Sequence, residues 1–344
     1  MKRSIKYNKR SGRIAQTGVA LVTALFLVAL VTAITAAWVA QFDAAYKRLE
    51  TLRVGAQSRW LLRAGLGYAA VILGESNAQR VTLNDSWAVP LSRFRMTDIA
   101  GTNEAFFSGQ FIDAQGRLNA CNLARETPSA TLVQWGKNLA QAMPQGSALS
   151  EAEFAQWQIK LRDLQALSVS ENSTSGGVGG GTTGGANNAV SDTYLRIQTD
   201  DALAMLPKQL NDAQRAAWSA VWVWLPCKEA ATKVNVNTAP AAVIKAHPVL
   251  SGGAGAQLLA DRSKASFNDL ADLTMRFTAL KAQSNAGGNP PTGEDTGRGF
   301  DVTSQYFLAQ ATLEIARTQV FQQTLFHRRT AGGGNAVISL WSKY

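Results

Sequence analysis

The chain has 344 residues, of which 46% are hydrophobic and 17% are charged. This composition predicts one large or two modest folded domains, and it excludes a mostly disordered chain or a long exposed coiled coil. Two histidines and two cysteines, without CxxC or HxxxH spacing, also exclude a zinc site built from Cys and His and a redox dithiol motif.

The amino terminus, residues 1–18, carries most of the formal net charge of +10. It contains six basic residues and no acidic ones: Lys2, Arg3, Lys6, Lys9, Arg10 and Arg13. Subtracting these six from +10 leaves +4 for the rest of the chain, so the basic excess does not by itself indicate nucleic-acid binding.

An uncharged segment follows, from residue 14 to residue 42. Its 22 residues 19–40 would span about 33 Å as a helix, which is enough to cross a membrane. Basic residues before the segment and mixed charges after it place the amino terminus in the cytoplasm and the remainder outside the membrane. A cleaved secretory signal peptide is the alternative, although its apolar region is usually only about 7–15 residues long.

Helical spacing continues beyond the apolar segment, because apolar residues recur three and four apart from Leu49 to Ala64. We expect one helix over residues 19–73. Residues 106–112 then predict a strand followed by a turn, and residues 118–123 resume an apolar alternation.

A helical region with a glycine-rich interruption comes next. Residues 127–167 have helical spacing, whereas residues 173–185 include seven glycines and predict a flexible surface loop without a phosphate-binding motif. Residues 212–225 predict another helix. Its tryptophans and Trp157 indicate a buried core more often than a partner surface.

The sequence VNVNTAP at 234–240 begins a pattern typical of a helix-hairpin-helix motif. We predict Thr238 as a helix N-cap, a second helix over 254–262 and a third short helix from residue 267. A DNA-binding hairpin presents glycine amides to phosphate beside a cation, but cations are sparse here: Lys245, Arg262 and Lys264. We therefore expect a structural hairpin and no nucleic-acid partner.

The carboxyl-terminal part, residues 300–344, predicts an antiparallel meander of strands. Three acidic residues precede or begin it: Glu294, Asp295 and Asp301. Acids on a glycine-rich loop form either a solvated surface or part of a calcium site.

Cys121 and Cys227 predict one disulfide if the chain outside the membrane lies in an oxidising compartment, and two buried thiols otherwise. No catalytic constellation is found. His247 lies in a predicted turn and His327 in a predicted strand, and neither belongs to a nucleophile motif, so we expect no enzyme.

Four features, in chain order, resemble the protein K family of minor pseudopilins in bacterial type II secretion. They are Gly18-Val19 after a basic leader, Thr23 at the fifth position after Gly18, the VNVNTAP motif in a helical region, and the strand FDVTSQYF at 300–307. The resemblance implies that a prepilin peptidase cleaves between Gly18 and Val19 and that the new terminus is methylated. Most pilin-like proteins have Glu where this chain has Thr23, and the Glu is thought to pair with a neighbouring subunit's terminal amine.

The implied fold is α+β: a long amino-terminal helix packed on an antiparallel sheet, with a large all-α, helix-hairpin-helix (SAM-like) domain inserted between strands. We divide the chain into a leader (1–18), a transmembrane half-helix (19–42), stalk and first strands (43–120), an inserted domain (121–299) and carboxyl-terminal strands (300–344).

The implied function is a pseudopilus tip subunit that joins other minor pseudopilins, starts assembly and limits extension, in support of protein secretion. It would be anchored in the bacterial inner membrane by a single pass, with a periplasmic domain and a structural calcium ion. Glu294, Asp295 and Asp301 are its predicted ligands. The alternatives are a membrane-anchored DNA-binding protein of a competence-type uptake system and an anchored envelope enzyme.

Overall fold

The computed structural model describes residues 17–97, 104–170, 197–227, 230–250, 253–281, 296–315, 318–331 and 334–343. The chain divides into two compact units, residues 1–59 and residues 60–344. One helix, α1 (Thr17–Glu75), contributes residues to both. The helix predicted over 19–73 is therefore confirmed, and the absence of proline explains why it is uninterrupted.

Nine strands are described in the second unit. They are β1 (Leu91–Thr97), β2 (Glu104–Asp113), β3 (Leu118–Asn119), β4 (Trp222–Val223), β5 (Val234–Asn235), β6 (Phe300–Asp301), β7 (Tyr306–Ile315), β8 (Thr318–Ala331) and β9 (Gly334–Lys343). Five of them form one antiparallel sheet in the order β1-β2-β7-β8-β9. The remaining four form two short parallel pairs, β3 with β4 and β5 with β6.

Eight further helices are described, and all of them lie between β2 and β7 in the sequence. They are α2 (Cys121–Ala124), α3 (Ala130–Gln141), α4 (Glu151–Ser170), α5 (Thr199–Ala204), α6 (Asp212–Val221), α7 (Ala241–Lys245), α8 (Ala254–Lys264) and α9 (Leu270–Arg276). Side chains of Ser129, Asn211 and Asp269 accept amide hydrogens at the starts of α3, α6 and α9. These N-caps explain where the three helices begin.

The helices form an insertion in the sheet, because β2 and β7 are neighbours although residues 114–305 separate them. Asp113, the last residue of β2, is in register with Phe307 of β7. Both ends of the insertion therefore meet at one end of this strand pair. The predicted α+β class, with a helical domain inserted between strands, is confirmed.

The inserted domain has its own core of tryptophans. Trp157 lies 5.6 Å from Trp218 and 5.0 Å from Trp222 between ring centroids, and all three are fully buried. Trp135 is buried against Phe300 at 4.7 Å. The prediction of a tryptophan core is confirmed.

The part of α1 within the second unit packs closely on the sheet. Its Leu62, Leu66 and Leu73 are buried, and a Cβ at Gly65 would lie 2.4 Å from the Phe107 ring of β2. Glycine at 65 therefore permits a close approach of helix and strand. At the end of α1, the Arg328 guanidinium donates a hydrogen bond to Ser76 Oγ at 2.6 Å.

Several predicted boundaries are wrong. The helical character predicted over 127–167 is confirmed, in two helices, α3 and α4, whereas the helix predicted over 212–225 ends at Val221, where a strand begins. The strand predicted at 300–307 is divided, because residues 300–301 pair with β5 and only residues from Tyr306 join the sheet. The glycine-rich residues 173–185 lie outside the described part of the chain.

Candidate functional site: the amino-terminal helix and the junction of the inserted domain

The first half of α1 exposes its apolar side chains. Val19, Phe26 and Val39 are each between 67% and 68% exposed, and the other large apolar side chains of residues 19–42 are exposed as well. Length and composition are sufficient for this helix to cross a membrane. Gly18 and Val19 lie near its start, and cleavage between them stays a prediction.

Thr23 satisfies its own hydroxyl within the helix. Its Oγ1 lies 3.0 Å from both Val19 O and Ala20 O, so the hydroxyl donates to the preceding turn. A carboxylate at this position would need a cationic partner in a membrane, whereas a threonine needs none. The helix can therefore remain apolar at this point without pairing to another chain.

A buried carboxylate lies where the inserted domain joins the sheet. Asp113 Oδ2 accepts hydrogen bonds from Ser304 Oγ at 2.6 Å, Thr238 Oγ1 at 2.6 Å and Asn235 Nδ2 at 3.0 Å, and Oδ1 accepts one from Gln115 N at 2.9 Å. Burial raises the pKa of Asp113, and these four hydrogen bonds oppose the increase. The group is enclosed and holds three separate segments together.

The VNVNTAP motif supplies two of these donors. Val234 and Val236 are buried in the core of the inserted domain, while Asn235 also donates to Val81 O at 3.1 Å. Asn237 exchanges two 2.9 Å hydrogen bonds with the backbone of Phe267. The motif thus links two segments of the inserted domain to each other and links the domain to strand β2 of the sheet.

Thr238 is not the helix N-cap that the sequence predicts. α7 begins after Pro240, without a side-chain cap, and the Thr238 hydroxyl donates to Asp113 instead. The difference arises because the helix starts two residues later than predicted, so that Pro240 occupies the N-cap position and Thr238 is free to donate its hydroxyl hydrogen to the buried carboxyl group.

A second connection between distant segments lies at Cys121 and Cys227, which form a disulfide with Cα atoms 5.9 Å apart. Asn119 is buried here. Its Oδ1 accepts from Leu225 N at 2.9 Å and its Nδ2 donates to Leu225 O at 3.1 Å. No local pattern marks Asn119, because its partner is 106 residues away in the sequence.

Both histidines are buried and neutral. His247 lies 4.5 Å from the Trp135 ring and 4.9 Å from the Phe300 ring, and its Nε2 is 3.0 Å from Arg298 O. Burial lowers the pKa of His247 to about 4, and burial likewise lowers the pKa of His327 to about 4. At neutral pH, His247 therefore donates Nε2–H to Arg298 O and contributes to packing.

The Arg262 side chain of the predicted hairpin is bonded to the backbone of its own domain. Arg262 of α8 donates Nη1–H bonds to Val236 O at 2.9 Å and Ala239 O at 2.6 Å. Lys264 lies 3.8 Å from Asp261, whereas Lys245 is exposed. Phosphate binding needs several free cations, so this arrangement favours a structural hairpin.

The acidic set proposed for calcium is only partly described. Glu294 and Asp295 lie outside the described residues, and Asp301 in β6 accepts a hydrogen bond from Val302 N at 2.7 Å. Within the described ranges, no group of three His, Cys, Asp or Glu side chains could hold a metal. Calcium binding stays a prediction.

The long helix α1 and the antiparallel sheet, whose neighbouring strands β2 and β7 are separated in sequence by the inserted helices, define a pilin-like α+β fold with a helical insertion. The chain is similar to one in the crystal structure of the GspK-GspI-GspJ complex from the enterotoxigenic Escherichia coli type 2 secretion system, with a TM-score of 0.53 and 15% identity. The match covers 86% of this chain and 98% of that chain. No family model and no curated protein matches the sequence. The similarity concerns the fold.

Proposed function

We propose that this protein is a minor pseudopilin at the tip of a type II secretion pseudopilus. The observation that carries the proposal is the combination of an exposed apolar helix with a sheet whose neighbouring strands, β2 and β7, are separated by a large helical insertion. The similarity to a chain of a minor pseudopilin complex supports it. The protein acts by association rather than by catalysis.

In this proposal, a prepilin peptidase removes residues 1–18 and the amine of Val19 is methylated. Residues 19–42 then anchor the protein in the inner membrane and pack against the helices of other pseudopilins, with the remaining chain in the periplasm. The periplasmic domain joins the other minor pseudopilins, starts assembly of the pseudopilus and limits its extension.

Thr23 gives a physical reason for a terminal position. A subunit with Glu there can receive the terminal amine of a further subunit, because the two charges neutralise one another in lipid. Thr23 carries no charge and its hydroxyl is bonded within its own helix. The protein offers its own amine but does not bind another, and its inserted domain hinders addition above it.

The test is assembly of the full chain with the other minor pseudopilins of its own secretion system. The proteins are co-expressed with a prepilin peptidase, solubilised in detergent and purified through a tag on this chain. We expect the partners to copurify at high salt, since apolar helix packing is insensitive to salt. A major pilin of an unrelated system is the control, and absence of any copurifying pseudopilin would overturn the proposal.

The anchored DNA-binding alternative is tested on the same preparation. It requires affinity for duplex DNA that falls steeply with salt concentration. The inward position of Arg262 disfavours it, because that guanidinium already has two carbonyl acceptors. We expect no salt-dependent retention of a labelled duplex.

A further inference from the structure

A cavity of about 240 Å³ lies between the inserted domain and one face of the sheet. Leu308, Leu325 and Trp341 line it on the sheet side, and α5 and α6 line it on the other side. Most of the wall is uncharged. Arg117 and Asp200 are the charged residues among those that line it.

The Arg117 guanidinium has no acceptor among the described residues, although it is partly buried. The carboxylate of Asp113 is not hydrogen-bonded to Arg117, and its oxygens accept from Ser304, Thr238, Asn235 and Gln115 instead. The Arg117 nitrogens are not among the fully enclosed polar atoms that lack a partner, so they are open to the cavity that Arg117 lines and can donate to a ligand there.

Arg117 is nevertheless a cation at neutral pH. Burial lowers its pKa to about 10, and the charge of Asp113 opposes that decrease. Asp200, the other charged residue at the cavity, forms an ion pair with Lys343 at 2.7 Å. Among the described residues, the cavity therefore contains one guanidinium that is near a carboxylate, Asp113, but is not hydrogen-bonded to one.

We propose that this cavity binds a carboxylate, held by the Arg117 guanidinium, with the apolar part of the ligand against Trp341 and Leu325. A guanidinium matches a carboxylate with two parallel N–H···O bonds, and a single cation among neutral walls suits a monoanion better than a phosphate. The carboxylate belongs either to an acidic side chain of a partner segment or to a small free acid. This inference does not depend on the proposed secretion function.

The test uses the full chain in detergent micelles, labelled with 5-fluorotryptophan and observed by ¹⁹F NMR. The Trp341 resonance is assigned with the variant Trp341→Phe. Sodium benzoate is titrated as the probe, and benzamide serves as its neutral counterpart of the same shape. We expect benzoate to shift the Trp341 resonance in a saturable manner and benzamide to bind at least tenfold more weakly.

Variants then separate charge from shape. Arg117→Gln should weaken benzoate binding at least tenfold, and Arg117→Lys should weaken it several-fold, because it keeps the charge but loses the two-pronged geometry. The control is Arg162→Gln, an equal charge change on an exposed residue of α4. If Arg117→Gln disturbs the fold, the change in benzoate affinity of Arg117→Lys alone tests the proposal.

A blocked tripeptide with glutamate between two leucines distinguishes the sources. Tighter binding of the tripeptide than of benzoate indicates a partner side chain, and the reverse indicates a small free acid. Equal binding of benzoate and benzamide, or unchanged benzoate affinity in the Arg117→Lys variant, would overturn the proposal and leave only an apolar cavity.

Discussion

Gly65 and Gly67 offer a sharp test of how α1 packs on the sheet. Both lie in α1, two residues apart, but their surroundings differ. A Cβ at Gly65 would lie 2.4 Å from the Phe107 ring, whereas a Cβ at Gly67 would meet nothing within 4 Å. Gly65→Ala and Gly67→Ala are therefore a matched pair.

The expected magnitude follows from two effects. Replacing glycine by alanine in a helix gains about 1 kcal/mol at either position, so this gain cancels between the variants. Overpacking in a filled core costs about 1–3 kcal/mol. Phe107 is 4% exposed, so its ring has little free volume into which it could move. Gly65→Ala should thus be less stable than Gly67→Ala by about 1–3 kcal/mol.

Thermal unfolding of the full chain in detergent micelles, followed by near-ultraviolet circular dichroism, measures the difference. At roughly 2–4 °C per kcal/mol, the Gly65→Ala variant should melt roughly 2–12 °C below Gly67→Ala. Adding Phe107→Leu should recover part of the loss in the Gly65→Ala background only. Equal melting temperatures would refute the close contact.

Three further predictions concern other parts of the chain. Replacing Cys121 and Cys227 by alanine should lower the free energy of unfolding by about 2–5 kcal/mol, because the disulfide closes a loop with a sequence separation of 106; a change below 1 kcal/mol in urea unfolding would contradict this. Burial lowers the pKa of both histidines from 6.5 to about 4. Their contribution to the free energy of unfolding is therefore complete above pH 6.5 and is lost as the pH decreases toward 4. His247→Gln should remove up to about 2–3 kcal/mol of the difference between pH 7.5 and pH 4.5, and His327→Gln should remove less, because solvent screens a group that is only partly enclosed; an unchanged pH profile would exclude the burial argument. Finally, Thr23→Glu should allow a further pseudopilin to cross-link to this protein in membranes, whereas the uncharged control Thr23→Gln should not; identical cross-linking of the two variants would rule out the charge-pairing account.

Periodicity made the main elements predictable. The helix α1, the strand at β2 and the tryptophan core follow from apolar spacing within a single segment, and that spacing is local information. Edge strand β1 was missed because only the short stretch Arg93-Phe94-Arg95-Met96 alternates, and residues 91–95 are exposed, so no buried apolar face marks it.

The junction could not be predicted, because its partners are distant in sequence. Asp113 binds Asn235 and Ser304, which lie 122 and 191 residues further along the chain. The same distance misled the interpretation of Thr238, whose sequence context favours an N-cap while the folded chain supplies a buried carboxylate. Alternating asparagines in VNVNTAP were the available signal, since polar side chains between buried valines need partners.

The cavity beside Arg117 has a similar origin. The residues that line it come from the insertion and from three strands of the sheet, and only the fold brings them together. A single arginine after a turn carries no local pattern that distinguishes a buried, unpaired guanidinium from a solvated one.

The mature amino terminus tests the pseudopilin account most directly. The protein is expressed with and without a prepilin peptidase, and the intact mass and the amino-terminal peptide are determined by mass spectrometry. The account predicts a start at Val19, with a methylated amine, only when the peptidase is present. An uncleaved chain in both preparations, or a start near Gln41 as expected for a removed signal peptide, would contradict it.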